Sequence, residues 1–496
     1  MTGKFPLEVR KAFERLDRET AHIATKAPQW AEVFTPHDHQ GALDPDRSIV
    51  VGDRGTGKSF WSSVLINQGI RAIVAEQYPS IGLDRVDGRL GFSDAEMAAQ
   101  HPGATEIASI METGHSAEDI WRAVLLGLAP FPVEGLPPTN SGWRSVVDWV
   151  ATDPARRNTD FRALDSMLTQ AGKRYVLVFD ALDVIAGNWP AIRKQLEGII
   201  KLGLAVRALL SIRVKMFIRP DMADDRRLWE VGDASKLRHR EVKLTWRRRD
   251  LYGLLWTLLA NAQVDSDKRG GDLFRNHCAE AFGMSFIYQH ESWRPPYPLV
   301  DDEKLQQEIF RALAGLYMGR SASKGDTYKW VPNHLSDAAG YAAPRSFLFA
   351  MNEGANATKS QETVLDKDGI QAGARKASEV RVAELSEDYR WMDTVLTAME
   401  DLVVPITREN LTARWTERGT LASLRNMTSS EGEDRRFIPP GEVLEALDEY
   451  DAYKKLIEQL IRLKILLPLA DGRINMPDLF RLQAKVKRKG GMKPRG

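Results

Sequence analysis

The chain has 496 residues, 43% of them hydrophobic and 28% charged, with a formal net charge of +1. That length asks for about three domains, and that apolar content excludes a largely disordered chain. The near-zero charge excludes a whole-molecule field that would steer it to nucleic acid or membrane, so any basic surface is local. The single cysteine, Cys278, excludes an internal disulfide and a multi-cysteine metal site. In its stretch LFRNHCAEAFG it reads as a small packed residue. The start MTGKFPLEVRK lacks the apolar run of a signal peptide, and no stretch reaches membrane-spanning length without charges. The expected compartment is the cytoplasm, with no membrane partner.

Residues 1–45 read as an N-terminal helical segment, with Phe5, Leu7, Val9, Phe13, Leu16, Ala21 and Ile23 near helical spacing. His37-Asp38-His39 has no further ligand cluster nearby and reads as a polar turn rather than a metal site. Asp44-Pro45-Asp46-Arg47 turns into the apolar run Ser48–Val51, a buried strand. Then comes Gly52-Asp53-Arg54-Gly55-Thr56-Gly57-Lys58-Ser59, followed by the helix-like FWSSVLINQ beginning at Phe60. It fits G-x-x-x-x-G-K-[ST], a phosphate-binding loop between a strand and a helix N-terminus. Free backbone N–H groups and the positive end of the helix dipole meet an anion there. Gly55 and Gly57 let the backbone curl around phosphate oxygens. Lys58 is expected to reach the β- and γ-phosphates of ATP, and the Ser59 hydroxyl to hold Mg²⁺.

IRAIVA (70–75) reads as a second strand and RVDGRLGF (85–92) as another. Helices are expected at 117–128, 143–150 and 161–170, with a proline-rich loop over 130–138. The interval near 80–160 is therefore an insertion on the nucleotide-binding core, which is expected to span 46–262.

Tyr175-Val-Leu-Val-Phe179-Asp180-Ala181-Leu182-Asp183 is the second decisive stretch. Five apolar residues ending in a carboxylate make a buried parallel strand with an acid at its C-terminal tip, where ligands of open α/β sheets bind. Asp180 is placed to complete the Mg²⁺ shell, as a Walker-B aspartate does. Hydrolysis also needs a group to orient water. The place directly after the metal aspartate, acidic in many P-loop ATPases, is Ala181. Asp183 is the nearest remaining carboxylate, and it reads equally as a water-positioning residue or as a cap or ion-pair partner. A slow ATPase and an ATP-bound switch that rarely turns over both follow. A helix is expected at 191–210, a strand at 213–218 with Arg219-Pro220-Asp221 at its exit, a strand near 242–246 and a helix at 250–259. Arg219 reads as a γ-phosphate sensor, as a partner of Asp180 or Asp183, or as an Arg–Asp pair fastening its turn.

GDRGTGKS, VLVFDALD, KMFIRPD, KLTW with its following helix, and Ala343-Pro344-Arg345-Ser346-Phe347 together resemble the STAND/AAA-like branch of bacterial P-loop ATPases. Over roughly 46–355 the chain is similar to the KAP-type NTPases, which often occur in defence and signalling contexts. KAP-type proteins often read Asp-Asp-Leu-Asp where this chain reads Asp180-Ala-Leu-Asp183, and this chain lacks their membrane segments. The resemblance implies a P-loop core followed by a helical lid, here 263–355. It also implies a lid arginine, Arg345, that reaches over the γ-phosphate; from the residues alone Arg345 is equally a surface or capping arginine.

The polar stretch 352–367 reads as a boundary, with 356–496 a C-terminal helical region. Helices are expected at 370–385 and 389–402 and a loop over 410–440. Val443–Leu467, then Ile465–Leu469, an Asp-Gly turn and Ile474–Met476 have the shape of a winged helix. Such modules bind DNA or pack on protein, and the mixed charges of this helix leave both open. The basic tail from Lys485 to Arg495 reads as disordered, touching phosphates non-specifically or simply solvated.

The fold expected is therefore α/β: a P-loop NTPase core with a mostly parallel sheet, a helical lid and a C-terminal winged-helix-like region. The expected function is an ATP-binding, ATP-hydrolysing switch. Gly52, Asp53, Arg54, Gly55, Thr56, Gly57, Lys58, Ser59 and Phe60 bind nucleotide, Ser59 and Asp180 hold metal, Asp183 is the candidate to position water, and Arg219 and Arg345 are candidate sensors or fingers. Its partners are ATP/ADP and a protein or second copy. The alternative is an ATP-gated DNA-binding protein similar to origin-recognition AAA+ ATPases, and a third option is a nucleotide-stabilised scaffold without turnover.

Overall fold

The computed structural model describes residues 5–16, 27–94, 100–263, 269–431 and 441–489. The chain divides into two compact units, one of His22–Thr245 and one of Met1–Ala21 with Trp246–Gly496. The helical positions Ala21 and Ile23 of the N-terminal pattern lie outside the described residues.

The first unit is built on a five-stranded sheet. Its strands are β1 (Ile49–Val51), β2 (Val86–Phe92), β3 (Arg174–Phe179), β4 (Ile212–Ile218) and β5 (Val242–Lys243), in the order β2-β3-β4-β1-β5. Every pairing is parallel, so helical crossovers must cover both faces. The alternation of side chains makes this visible residue by residue. Ile49, Val51, Leu177, Phe179, Met216 and Ile218 enter one core with Trp121 and Leu196. Val50, Val176, Val178 and Phe217 enter the other with Trp61 and Leu65. Lys215, buried in the middle of β4, fastens the turn that feeds β1 by donating to the carbonyls of Asp44 (2.8 Å) and Arg47 (2.6 Å).

Of the strands expected, 85–92, 175–179, 213–218 and 242–246 are found in whole or part, but IRAIVA is not a strand. It lies within the helix Gln68–Gln77. Ile70 and Val74, four apart, face the core, and Arg71 between them donates to the Leu65 carbonyl at 2.5 Å, satisfying the end of the preceding helix. The helices of the 80–160 interval and its surroundings stand at Ala117–Gly127, Trp143–Thr152 and Pro154–Gln170.

The second unit is helical with small β pairs. The N-terminal helix Phe5–Phe13 belongs to it, held by Arg10, which donates to the carbonyls of Val364 (3.0 Å), Thr363 (2.5 Å) and Ser360. The helix Arg248–Asn261 belongs here as well. Pro344–Ala357 and Lys367–Asp388 pack backbone to backbone, so that a Cβ on Gly373 would lie 2.1 Å from the Ala350 carbonyl. The polar stretch 352–367 supplies the end of one helix and the turn to the next. Cys278 is buried, and burial pushes its thiol up to about 12. That fits a packed residue.

Much of the expected 410–440 loop is helical, as Arg408–Glu417 and Thr420–Glu431; 432–440 lies outside the described residues. Trp415 stacks on Tyr453 of the helix Glu449–Arg462. The hairpin Leu467–Pro468 with Ile474–Asn475 follows, and Ile406 pairs with Ile474 along its edge. The start of the basic tail is ordered, contrary to expectation. Lys487–Arg488 pairs in parallel with Val403–Val404, and Arg488 meets Asp478 at 2.8 Å. Residues beyond 489 lie outside the described part. Among the described residues no helix is long and apolar enough to cross a membrane.

Candidate functional site

β1 ends at Val51 and the chain turns at once into the glycine loop. Gly55 and Gly57 have φ of 79° and 99°, the left-handed region that a side chain resists. Turns of mixed hand of this kind gather successive N–H groups into an anion-binding concavity. Gly52 is needed for another reason: a Cβ there would lie 2.5 Å from the Thr56 Oγ1. That hydroxyl donates to the Asp53 carbonyl at 2.7 Å and closes the loop. The helix Lys58–Ile66 begins directly behind Gly57. Lys58 is folded back over the loop, its Nζ donating to the carbonyls of Gly52 (2.9 Å) and Asp53 (3.2 Å). Phe60 lies edge-on to Trp61.

Asp180 stands at the tip of β3, 1% exposed, and neither carboxylate oxygen completes a hydrogen bond. Its backbone N–H is tied to the Phe92 carbonyl at 3.0 Å. Burial raises its pKa, and the nearby Ser59 hydroxyl, the Lys58 charge and the Ala181 amide pull down less strongly. Burial lowers the pKa of Lys58 in turn, opposed chiefly by Asp180 and Asp183. These mutual influences set Lys58, Asp180 and Asp183 around one point, above the ends of β1, β4 and β3. A glycine cradle at a helix N-terminus thus faces a buried carboxylate whose oxygens complete no hydrogen bond. The fold is that of the P-loop NTPases.

In that P-loop fold the residue after the acidic tip is Ala181, with φ 51°. A non-glycine residue there costs about 1–2 kcal/mol. The turn sends Asp183 toward Arg219 on the tip of β4. Arg219 Nη1 donates to Asp183 Oδ2 at 3.1 Å, and its Nε to Asp221 Oδ1 at 3.3 Å. Of the partners weighed in sequence, then, Arg219 holds Asp183 together with its turn neighbour Asp221, and Asp180 is left without it. Arg345 lies in the other unit, where its Nη1 donates to Glu384 Oε1 at 3.2 Å. Among the described residues no group of three or more His, Cys, Asp or Glu is arranged to hold a metal; residues His37–His39 form a short 3-10 helix.

Sequence reasoning passed over two features here. Asp94, two residues past the end of β2, adds negative charge near Asp180. The signal was an acid just beyond a strand end at the same sheet edge. The other is a buried relay from the loop helix. The Trp61 indole donates to His39 Nδ1 at 3.1 Å, and His39 Nε2 lies 3.0 Å from the Thr245 carbonyl. An indole only donates, so Nδ1 is the acceptor and the ring proton sits on Nε2. Burial pushes this histidine down to about 4. The unfolded chain then takes up a proton near pH 6.5 that the folded one refuses. This group costs nothing above 6.5, and stability is lost as pH falls from 6.5 toward 4, by on the order of 3 kcal/mol. His39→Gln keeps an acceptor and a donor but does not titrate. Urea midpoints measured against pH should fall less steeply for this variant across that window than for the wild type.

No family model matches the chain, and no curated protein matches it. Among solved structures it is similar to the ORC2 protein of Aeropyrum pernix in its ADPNP–ADP complexes, at 12% identity over 88% of this chain and 85% of that one, with a TM-score of 0.36. It is similar also to a Walker-type ATPase of Pyrococcus abyssi, at 12% identity over 93% and 99%, TM-score 0.36. A third is Cdc6p from Pyrobaculum aerophilum, at 13% identity over 92% and 94%, TM-score 0.27. The P-loop fold itself is read from this chain's own strand order, loop and acidic tip.

Proposed function

We propose that this chain is a cytoplasmic ATP-dependent switch that binds ATP and ADP and hydrolyses ATP slowly. The observation that carries it is Asp180, a buried carboxylate whose oxygens complete no well-formed hydrogen bond, facing the glycine cradle with the Ser59 hydroxyl and the Lys58 charge close by. A buried, unpaired carboxylate is costly unless something fills its place. Ser59 and Asp180 would hold magnesium, which when bound neutralises phosphate charge. The loop amides and Lys58 cradle the phosphates, with Asp53, Arg54, Thr56 and Phe60 around them. Asp183 positions water, but Arg219 grips it and Ala181 offers no acid, which together support slow turnover. Calorimetry with ATP and ADP in the presence of Mg²⁺ tests the reading. Well-folded protein that takes up neither nucleotide would sink it.

Arg219 has the reach of a γ-phosphate sensor, since its present partners are carboxylates that a phosphate can replace. In Arg219→Gln, ATP affinity should fall about tenfold toward that of ADP, with ADP affinity unchanged. If both affinities stayed as in the wild type, Arg219 would only fasten its turn. Should Asp183→Asn leave hydrolysis near zero and unchanged, the scaffold reading would gain.

The lid at 263–355, with Arg345 as its sensor or a trans-acting finger, follows from the resemblance to AAA-like and KAP-type proteins. A defence or stress role rests on the same resemblance. The second reading, an ATP-gated DNA-binding protein, is supported by the C-terminal helix and two-stranded hairpin, with Ile406 bridged to Ile474, an arrangement that suits a winged helix. Duplex affinity that falls more steeply with salt when ATP is present would favour it. Absence of that effect favours a protein partner or self-association.

A further inference from the structure

The edge of the sheet opposite Lys58 and Asp180 carries a cavity of about 310 Å³, lined by Asp46, Arg207, Arg213, Lys236 and Arg240 with Val214 beneath. The cations come from separate elements. Arg207 follows the helix Trp189–Val206, Arg213 lies on β4, and Lys236 and Arg240 lie in and just after the short helix Ser235–Arg238. Asp46 is already engaged by Arg174 at 2.6 Å and Arg213 at 2.8 Å, which hold its carboxyl down to about 2. Arg213 is further fixed by donating to the carbonyls of Leu209 (2.8 Å) and Ile212 (2.7 Å). Lys236 meets Asp233 at 2.7 Å. The side chains of Arg207 and Arg240 make no hydrogen bond or ion pair among the described residues. Four cations therefore surround one carboxylate, and that carboxylate is shared with a fifth cation.

We propose that this cavity is a second anion site, which takes the phosphate groups of a ligand distinct from the nucleotide at the glycine loop. Two free guanidinium forks beside an immobilised third are suited to phosphate oxygens, which they grip in bidentate fashion. Solvated surface arginines would have no reason to converge, from separate elements, on one concavity with an apolar floor. A volume near the small end of ligand pockets suits one or two phosphate groups. The chemistry is the same whether these belong to a nucleic-acid backbone or to a free diphosphate.

The test compares wild type with Arg207→Gln/Arg240→Gln. One arm measures binding of a short labelled duplex DNA by anisotropy. The other measures inorganic pyrophosphate by calorimetry in the Lys58→Ala background, which keeps the glycine loop out of the signal. A loss of about tenfold or more in either arm is expected, and the arm that responds names the source. For the duplex, the slope of log affinity against log salt should also become shallower by about 1.8, two released counterions' worth. Both arginines are exposed and unpartnered, so the variant should melt like the wild type, and Arg207→Lys/Arg240→Lys should retain part of the binding. If wild type bound neither probe, or the double variant bound both equally well, the proposal would be overturned. Calorimetry of ATP at the glycine loop is unaffected by that result, so failure here and failure of the switch reading are told apart.

Discussion

Lys58→Ala is expected to weaken ATP binding by roughly 10²–10⁴-fold. The ammonium rises from the end of the cradle and is already turned over the loop, 2.9 Å from the Gly52 carbonyl. Charge-assisted hydrogen bonds to two phosphates contribute about 1.5–3 kcal/mol each, which sets the size of the loss. ADP should lose less, having one fewer phosphate in reach. Titration calorimetry of the purified full chain with both nucleotides measures this directly. The protein should remain folded, since the hydrogen bonds Lys58 gives up go to the Gly52 and Asp53 carbonyls of a half-exposed loop, and Asp180, losing a nearby positive charge, can take up a proton. Equal affinities for wild type and variant would remove the loop from the site.

The second large effect has opposite signs in the two states. Asp180→Asn should stabilise the nucleotide-free protein, by about 1–3 kcal/mol, because a buried charge whose burial outweighs the help of Lys58, Ser59 and Ala181 is exchanged for a neutral amide. The same variant should lose the added stabilisation that Mg²⁺ brings to ATP. The pH dependence follows from the raised pKa of Asp180. A group whose folded pKa lies above its unfolded value gives its stability fully below the unfolded pKa of 3.8, and loses it as pH rises through the folded value. The advantage of the variant should therefore grow as pH rises from the unfolded value and vanish in acid. Melting curves with and without Mg²⁺·ATP, at several pH values, give both signs in one experiment. A variant that melts lower than wild type without nucleotide would show Asp180 to be a satisfied structural acid.

How much of this could be read from the sequence depended on how local the deciding contact is. The loop and the acidic tip are local: glycine spacing dictates one, and an apolar run ending in a carboxylate dictates the other. Five of the six strands expected in the core were legible for the same reason. IRAIVA misled because its β-branched content reads as strand, whereas the deciding contact is Arg71 on the Leu65 carbonyl, made across a turn. Lys487 and Arg488 read as a solvated tail because their partners, Val403 and Val404, lie more than eighty residues earlier. The grip of Arg219 on Asp183 is of the same kind. From sequence that pairing is one of several open to the arginine, and only folding selects Asp183 over Asp180 as the partner of Arg219.

One consequence of the strand order concerns distance. The strand carrying the glycine loop and the strand carrying Asp180 are not neighbours; β4 lies between them. Adjacent parallel strands are spaced by about 4.8 Å, so the two backbones stand roughly 9.6 Å apart. β4 is thus a spacer, and its thickness determines the width of the slot between the glycine loop and Asp180. Arg219 rides on the end of that spacer. Whatever pulls on its guanidinium also pulls on the piece that sets the gap, so occupancy of the slot and the pose of this arginine are coupled mechanically.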